Sequence, residues 1–407
     1  MFRRFPALLC LLGALSTACD APETTPAPAP SASATVATAS ATATASATPT
    51  ASATPTASAA SAPGAPRKAA MTAAEYKQLV EDLSEPDADF FSDNFISNET
   101  SYLQPVKLLQ SRPPGGVYVG VGPEQNFTYL ALTRPELAFI VDIRRDNLVL
   151  HLMYKAIFDL AESRTHFLAL LTGRRWDADR DPGPEASIEA VLEAVSEAKD
   201  DGASRRAIKQ TIGERYGITL GKKDEKSLDD AAAAFAEEGP DIRFRLRENS
   251  TRKYPSLAEL AAAKSPEGEQ AGFLASEEAF RFVQRLQREN RVVPMVGDFG
   301  GDHALPALGK WLHDHDLVVR HFYTSNVEQY LMVDGKWWKW QRNVKSLPSD
   351  DDSAFIRGYL DQGRHHPNQM KGHRTATILQ PMSVFLARDK PYPSMVALCS
   401  DSVMATP

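Results

Sequence analysis

Gly116-Val117-Tyr118-Val119-Gly120-Val121-Gly122-Pro123-Glu124-Gln125-Asn126, followed shortly by Leu137-Ala138-Phe139-Ile140-Val141-Asp142, is the stretch on which the fold turns. The first run is short, rich in β-branched residues, and ends in glycines, which predicts a strand and a tight turn. Proline suits a first helical turn, so residues 123 to about 133 predict a helix. The second run is apolar throughout and stops on an acid. Unbroken apolar runs, rather than alternating ones, indicate parallel strands covered on both faces. Residues 144–172 then carry one long helix, with Val149, Leu152, Met153, Ala156, Ile157 and Leu160 on one face and Gly173 as its stop. Strand, helix, strand, helix is the opening of a doubly wound α/β domain.

Working outward, the pattern breaks at about Trp176 and resumes after Asn290. The intervening segment is rich in Ala, Glu, Lys and Arg and predicts several helices, with a capping box at Ser256-Leu257-Ala258-Glu259. It reads as a helical insertion or lid. Beyond it, Val292 to Phe299 predicts a strand ending in Gly297-Asp298, and Ala304 to His315 a helix. Leu317 to Tyr323 predicts another strand, Ser325 to Met332 a helix, and Thr375 to Leu386 a further β-rich run. Upstream, residues 71 to about 109 predict helix, broken near Asp93-Asn94. With no second low-complexity linker, 71–407 is expected to be one mostly parallel α/β domain carrying the insertion at about 176–290.

Ligands of open α/β sheets bind beyond the carboxyl ends of the strands. Glycines after the first strand let a ligand approach the backbone, free N–H groups at the next helix start favour negative charge, and an acid ending the second strand can accept from a ribose diol. The distance from Gly120 to Asp142 is 142 − 120 = 22 residues, close to the ~20 of nucleotide-binding folds. In these features the chain resembles the class I S-adenosylmethionine-dependent methyltransferases, which share a Rossmann-like fold. Gly120, Gly122, Asp142, Asp298 and Asn326 fall in that family's order over roughly 90–175 and 290–335. The resemblance implies S-adenosylmethionine as a cofactor, with Gly120 and Gly122 under its methionine moiety, Asp142 on the ribose and Asp298 near the adenine. Glu124 and Asn126, in the loop itself, join the candidate cofactor-binding set, Glu124 either meeting a cationic ligand group or capping the helix. A dinucleotide loop would need Gly where Gln125 stands. Gly-Pro-Glu-Gln-Asn-Phe, Val-Asp-Ile-Arg-Arg-Asp-Asn and Tyr-Thr-Ser-Asn-Val-Glu-Gln-Tyr-Leu together also resemble an uncharacterised bacterial family of similar length, which implies a common fold and no activity.

Other residues carry two readings. Asn98, Glu99 and Tyr102 precede the first strand, where a segment can fold over a site, yet Ser97 or Asn98 also suits a helix cap. Arg144 and Arg145 suit an anionic ligand or a solvated helix start. Glu328 follows a strand directly, beside Asn326. His313-Asp314-His315-Asp316 would need a loop conformation to chelate, because residues two apart on a helix diverge, and no metal site is expected there or at His365, His366 and His373. Lys336-Trp337-Trp338-Lys339-Trp340 reads as aromatics burying one face while Lys stays wet. Ser325 lacks a G-x-S-x-G elbow, which argues against a serine hydrolase.

The first 70 residues differ from the rest. Arg3 and Arg4 precede an apolar run, Ala7 to Leu15, too short to span a bilayer. Leu15-Ser16-Thr17-Ala18-Cys19 resembles a bacterial lipoprotein signal, which implies lipidation at Cys19 and export to the periplasm or cell surface. Residues 20–70 are dominated by Ala, Ser, Thr and Pro, with Thr44-Ala45-Ser46-Ala47-Thr48-Pro49 repeated at once. Such a segment has nothing bulky to bury and predicts a disordered tether, spanning on the order of 40 Å. Of three cysteines only Cys399 lies in the folded part, so neither a disulfide nor a Cys-based zinc site is expected there. The net charge, 45 − 52 = −7, argues against a nucleic-acid partner. The expectation is a membrane-tethered extracytoplasmic lipoprotein with a methyltransferase-like fold, non-catalytic or binding a small molecule. An active S-adenosylmethionine-dependent methyltransferase is the alternative, and an unrelated enzyme such as a hydrolase the remainder.

Overall fold

A six-stranded sheet in the order β3-β2-β1-β4-β5-β6 organises the chain. β1 (Val117–Gly120), β2 (Leu137–Asp142), β3 (Val292–Val296), β4 (Val319–Ser325) and β5 (Ala354–Leu360) run parallel, and β6 (Thr375–Pro381) closes one edge antiparallel to β5. This computed structural model describes residues 70–88, 90–195, 197–246, 252–361 and 363–404. The expected leader, Cys19 and residues 20–69 of the expected tether lie outside them. Among the described residues no helix is long and apolar enough to cross a membrane.

The central strands are apolar because both faces are covered: every residue of β1 and β2 is buried. β3 contains Pro294, which a central strand would not tolerate. It is an edge strand, paired only with β2, so the missing N–H can face away from the ladder. β1 pairs with β2 on one side and β4 on the other. The order therefore reverses between β1 and β4: the connection leaving β1 runs to one side, towards β2, and the connection leaving β4 to the other, towards β5. That parting is the topological switch point of an α/β sheet, where a crevice opens at the carboxyl ends of the strands.

Helices cover the faces. α1 (Ala73–Leu83) begins with a capping box, Glu75 N–H donating to Thr72 Oγ1 at 3.2 Å and Thr72 N–H to Glu75 Oε2 at 2.7 Å. A mostly irregular segment then leads to the short α2 (Val106–Gln110). α3 (Gln125–Thr133) follows β1. The helix expected over 144–172 is two: α4 (Arg145–Leu160) and α5 (Arg164–Leu171). Ser163 separates them, its side chain accepting from His166 N–H at 3.0 Å to start a new helix. The chain then forms α6 (Ile188–Ala194), α7 (Ala203–Tyr216), α8 (Lys222–Glu238), α9 (Leu257–Ala261) and α10 (Glu277–Arg288) before β3. The capping box expected at Ser256 is present at α9.

Of these inserted helices, α7, α8 and α10 pack against α4, and α6 packs against α5. Arg145 grips Asp224 of α8 through two hydrogen bonds of 2.6 and 2.8 Å. Lys155, buried on α4, donates to the Gln287 carbonyl of α10 and lies between the rings of Tyr76 and Tyr216, 5.0 and 4.6 Å from their centres. Burial lowers its pKa to about 8. One lysine thus joins α1, α4, α7 and α10.

Past β3 come α11 (Ala304–Asp314), β4, α12 (Val327–Val333) and α13 (Trp337–Lys345). The Trp-rich segment divides as a helix face requires: Trp337 and Trp340 are buried, while Trp338 is 59% exposed. β5 was not expected from the sequence. Arg357 and Gly358 interrupt its apolar run, yet Arg357 is 1% exposed and paired with Glu328 of α12, at 0%, through bonds of 2.6 and 3.0 Å. Trp340 Nε1 donates to the same carboxylate at 2.9 Å. The β-rich run expected at 375–386 is β6 and then α14 (Met382–Leu386), and α15 (Met395–Ser400) ends the fold with Cys399 buried and free.

The Arg357–Glu328 pair yields a test. Arg357→Ala strands a buried carboxylate and should cost about 3–5 kcal/mol in urea unfolding. The double variant Glu328→Leu/Arg357→Met, which removes both charges at similar volume, should lose far less.

Candidate functional site

The glycine loop after β1 is closed by its own side chains. Asn126 is fully buried and donates to the carbonyls of Val121, Gly122 and Pro123 at 3.0, 3.1 and 2.7 Å. Its Oδ1 accepts from Tyr118 at 2.9 Å. Gly120 is small for the same reason: a Cβ there would sit 2.0 Å from Asn126 Oδ1. Asn126 is therefore the clamp of the loop, and the space beside Gly120 is filled from inside. Gly122 differs. Its φ of +78° requires glycine, and nothing lies within 4 Å of where a Cβ would point. Behind it, Nε2 of His151 approaches the Gly122 carbonyl at 2.8 Å, the imidazole kept neutral by burial with its pKa lowered to about 4.

Asp142 ends β2 as expected, but its carboxylate is engaged. Oδ1 accepts from the Arg144 backbone N–H and from Nε, both at 3.0 Å, and Oδ2 accepts from the second arm of the guanidinium at 2.9 Å. Both residues are about 5% exposed. A carboxylate offers about four lone-pair sites; three are taken, too many to leave a pair for a ribose diol. Asp298 is likewise held, by Lys336 at 2.6 Å and by Gly300 N–H at 2.8 Å. As they stand, Asp142 and Asp298 are engaged within the chain and do not fit the ribose and adenine roles that the resemblance implies for them.

Polar chemistry gathers instead in the crevice between β1 and β4. The segment before α2 lies over it as a strap. Ser97 N–H donates to both oxygens of Glu124 at 3.1 Å, and its hydroxyl donates to Gln125 Oε1. Gln125 Nε2 donates to the Tyr323 hydroxyl at 2.8 Å, which donates to Glu99 Oε1 at 3.1 Å. The Ser325 hydroxyl donates to the same Glu99 oxygen. Ser325 sits at the end of β4 with φ +50°, a left-handed conformation unusual for serine. The Glu99 carboxyl lies against Gly358 of β5, where a Cβ would come within 2.8 Å of it.

Glu99 and Glu124 are both buried, and neither pairs with a cation among the described residues. Burial pushes Glu99 up against the opposing pull of its bonds to Ser325, Gln125 and Tyr323. Burial raises Glu124 to about 7, with the Ser97 backbone bond acting the other way. Glu124 lies beside a narrow cleft bounded by Tyr102, Thr128, Leu257, Leu260 and Phe273, with about 20 Å³ of room, little more than one water molecule takes. Two bonds fasten the inserted segment over it: Tyr102 hydroxyl to the Leu260 carbonyl at 2.7 Å, and Phe273 N–H to Thr128 Oγ1 at 3.2 Å. The insertion thus supplies one wall of the site.

Of the expected residues, the structure brings Glu124, Glu99 and Tyr102 together and places half-buried Asn326 at the rim, its Oδ1 3.4 Å from the Ser325 hydroxyl. Asp142 and Asp298 are engaged elsewhere, and Glu328 is structural. Ser97 caps no helix. Gln125, Tyr323 and Ser325 were not singled out as ligand-site residues; their signal was their place at strand ends. No group of three or more His, Cys, Asp or Glu among the described residues is arranged to hold a metal ion.

The family described as a domain of unknown function (DUF7790) matches residues 94–401, and the chain belongs to it. The match takes in the strap, the crevice and the insertion. No curated protein matches the chain.

Two outcomes check the electrostatics. Asp142→Ala should destabilise by about 3–5 kcal/mol, because Arg144 is left charged and buried. Glu124 is harder to ionise folded than unfolded, so its contribution to stability falls as pH rises from its ordinary 4.5 to about 7, then levels off. Urea unfolding of Glu124→Gln against the natural chain should show the variant gaining on the order of 2–3 kcal/mol across that window. The buried histidines, common to both proteins, cancel in the difference.

Proposed function

We propose that the chain is an extracytoplasmic lipoprotein, tethered to a membrane through Cys19, whose Rossmann-like, methyltransferase-like domain binds a small molecule without transferring methyl groups. The strand order reversing at β1 and the acid ending β2 support the fold relationship. The occupation of Asp142 by Arg144 carries the non-catalytic reading: the carboxylate that would hold a ribose serves instead to anchor the strap, since Arg144 also donates to the Asp93 carbonyl at 2.9 Å. The crevice under its covering insertion, where Glu99 and Glu124 are buried without a cation among the described residues, supports a different ligand. The leader supports the same reading, because S-adenosylmethionine is a cytosolic metabolite and the expected destination lies outside the cytoplasm.

The alternative, an active S-adenosylmethionine-dependent methyltransferase, draws on the open backbone at Gly122. A thermal melt of the full-length chain with excess S-adenosylhomocysteine separates the two. A ligand at about 100 times its Kd adds roughly 2.7 kcal/mol, a shift of at least a few degrees. No shift is expected. A shift abolished by Asp142→Asn would overturn the non-catalytic reading. Membrane fractionation tests the anchor: Cys19→Ala should move the protein to the soluble fraction.

A further inference from the structure

We infer that a second cavity, between α4, α5 and the inserted helices α7 and α8, binds a small organic carboxylate. Its apolar body lies against Leu171, Ile208 and the alanines of α8, and its carboxylate meets Lys199 and Arg205. The inference goes beyond the crevice reading above and does not rest on it.

The room comes from the sequence of α8, which carries Ala231-Ala232-Ala233-Ala234 and then Ala236. Alanine is the strongest helix former, yet its side chain is a single carbon, so the helix persists without filling the space beside it. Ala231 and Phe235 turn into the core. Ala232, Ala233 and Ala236 line a cavity whose floor is Met153 of α4, Leu171 of α5 and Ile208 of α7, all buried. The cavity has about 160 Å³ of room, against about 20 Å³ beside Glu124. Packed interiors leave few voids larger than a water molecule. An apolar cavity of about 150 Å³ takes up benzene. Water here would lie on apolar walls, and a ligand's apolar body gains by displacing it.

The other end is polar, with Lys199, Asp200, Ser204 and Arg205. Asp200 is spent within the chain: Oδ1 accepts from Gly202 N–H at 2.7 Å and Oδ2 from Ser204 N–H at 3.0 Å. The two cations are less committed. Among the described residues the Lys199 ammonium has no ion-pair or hydrogen-bond partner. Arg205 stands 3.7 Å from Asp229, beyond hydrogen-bond reach, and Lys209 holds that carboxylate closer, at 2.9 Å. Free cations over an apolar floor select the ligand. A guanidinium takes a carboxylate through two parallel N–H bonds, and an ammonium adds a point charge. A metal ion is repelled by both cations, an inorganic anion has no body for the floor, and a neutral guest leaves the cations unused. The volume sets the body at a single ring or a short chain.

Isothermal titration of the full-length chain with sodium benzoate and sodium hexanoate tests this, with benzyl alcohol and hexanol as neutral counterparts and sodium chloride at matched ionic strength. At least one acid should bind saturably, and its alcohol should bind about tenfold more weakly or not at all. The double variant Lys199→Gln/Arg205→Gln, which changes exposed side chains only, should weaken the acid by about tenfold or more. Ala232→Leu, which fills the cavity and leaves both cations in place, should abolish binding, with a thermal melt of each variant to show that it folds. Lys226→Gln, which removes an exposed cation outside the cavity lining, should bind as the natural chain does. Binding by neither acid, equal binding of acid and alcohol, binding undiminished in the double variant, or an equal loss in Lys226→Gln overturns the inference.

Discussion

The parting of β1 from β4 is the constraint around which the molecule is arranged. Two parallel strands are hydrogen-bonded neighbours, yet the connections leaving them diverge, so the sheet opens at their carboxyl ends. An opening inside an apolar core must be filled or wetted, and buried polar groups there must find partners. The chain fills it with Gln125, which reaches from the start of α3 to Tyr323 on β4, and with Glu99, carried in by the strap. The strap is held in turn by the Ser97 bonds and by Arg144, and the inserted segment closes on it through Tyr102. Strap, insertion and loop clamp are all consequences of that one gap.

How the carboxylates are neutralised divides structure from site. Asp142, Asp298 and Glu328 each end or follow a parallel strand, where a ligand role is expected, and each is met by a cation of the chain itself. Such pairs fix local geometry more than they add net stability. Glu99 and Glu124 are met by no cation among the described residues, and they are adjacent in the crevice wall. Position at a strand end is therefore a weaker guide to function here than the presence or absence of an internal counter-ion.

Much of the fold was legible in the sequence because the signals were local. β2 runs from Leu137 to Asp142, as the unbroken apolar run indicates, and Ser256 caps α9. The misses arise where a distant partner overrides the local pattern. β5 hides behind Arg357 and Gly358, because the guanidinium is neutralised by Glu328 and the missing Cβ makes room for Glu99, 259 positions earlier (358 − 99). The single helix expected after β2 is divided by Ser163, whose capping bond outweighs the continuing apolar periodicity. At the site, Asp142 had the right place and the wrong partner. No rule of spacing could show that Arg144, two residues on, would turn back to grip it.

The strand order also bears on how the chain reaches its native state. Val117 of β1 pairs with Val319 of β4, 319 − 117 = 202 residues on, and Ile140 pairs with Pro294 across the whole insertion, 294 − 140 = 154 residues. Ladders of that sequence separation form late, after costly loop closure. During synthesis, β1 and β2 emerge long before either outer neighbour, as a two-stranded apolar ribbon with both edges open. The crevice between β1 and β4 is consequently among the last parts of the molecule to exist, and the early ribbon is the segment most in need of a chaperone.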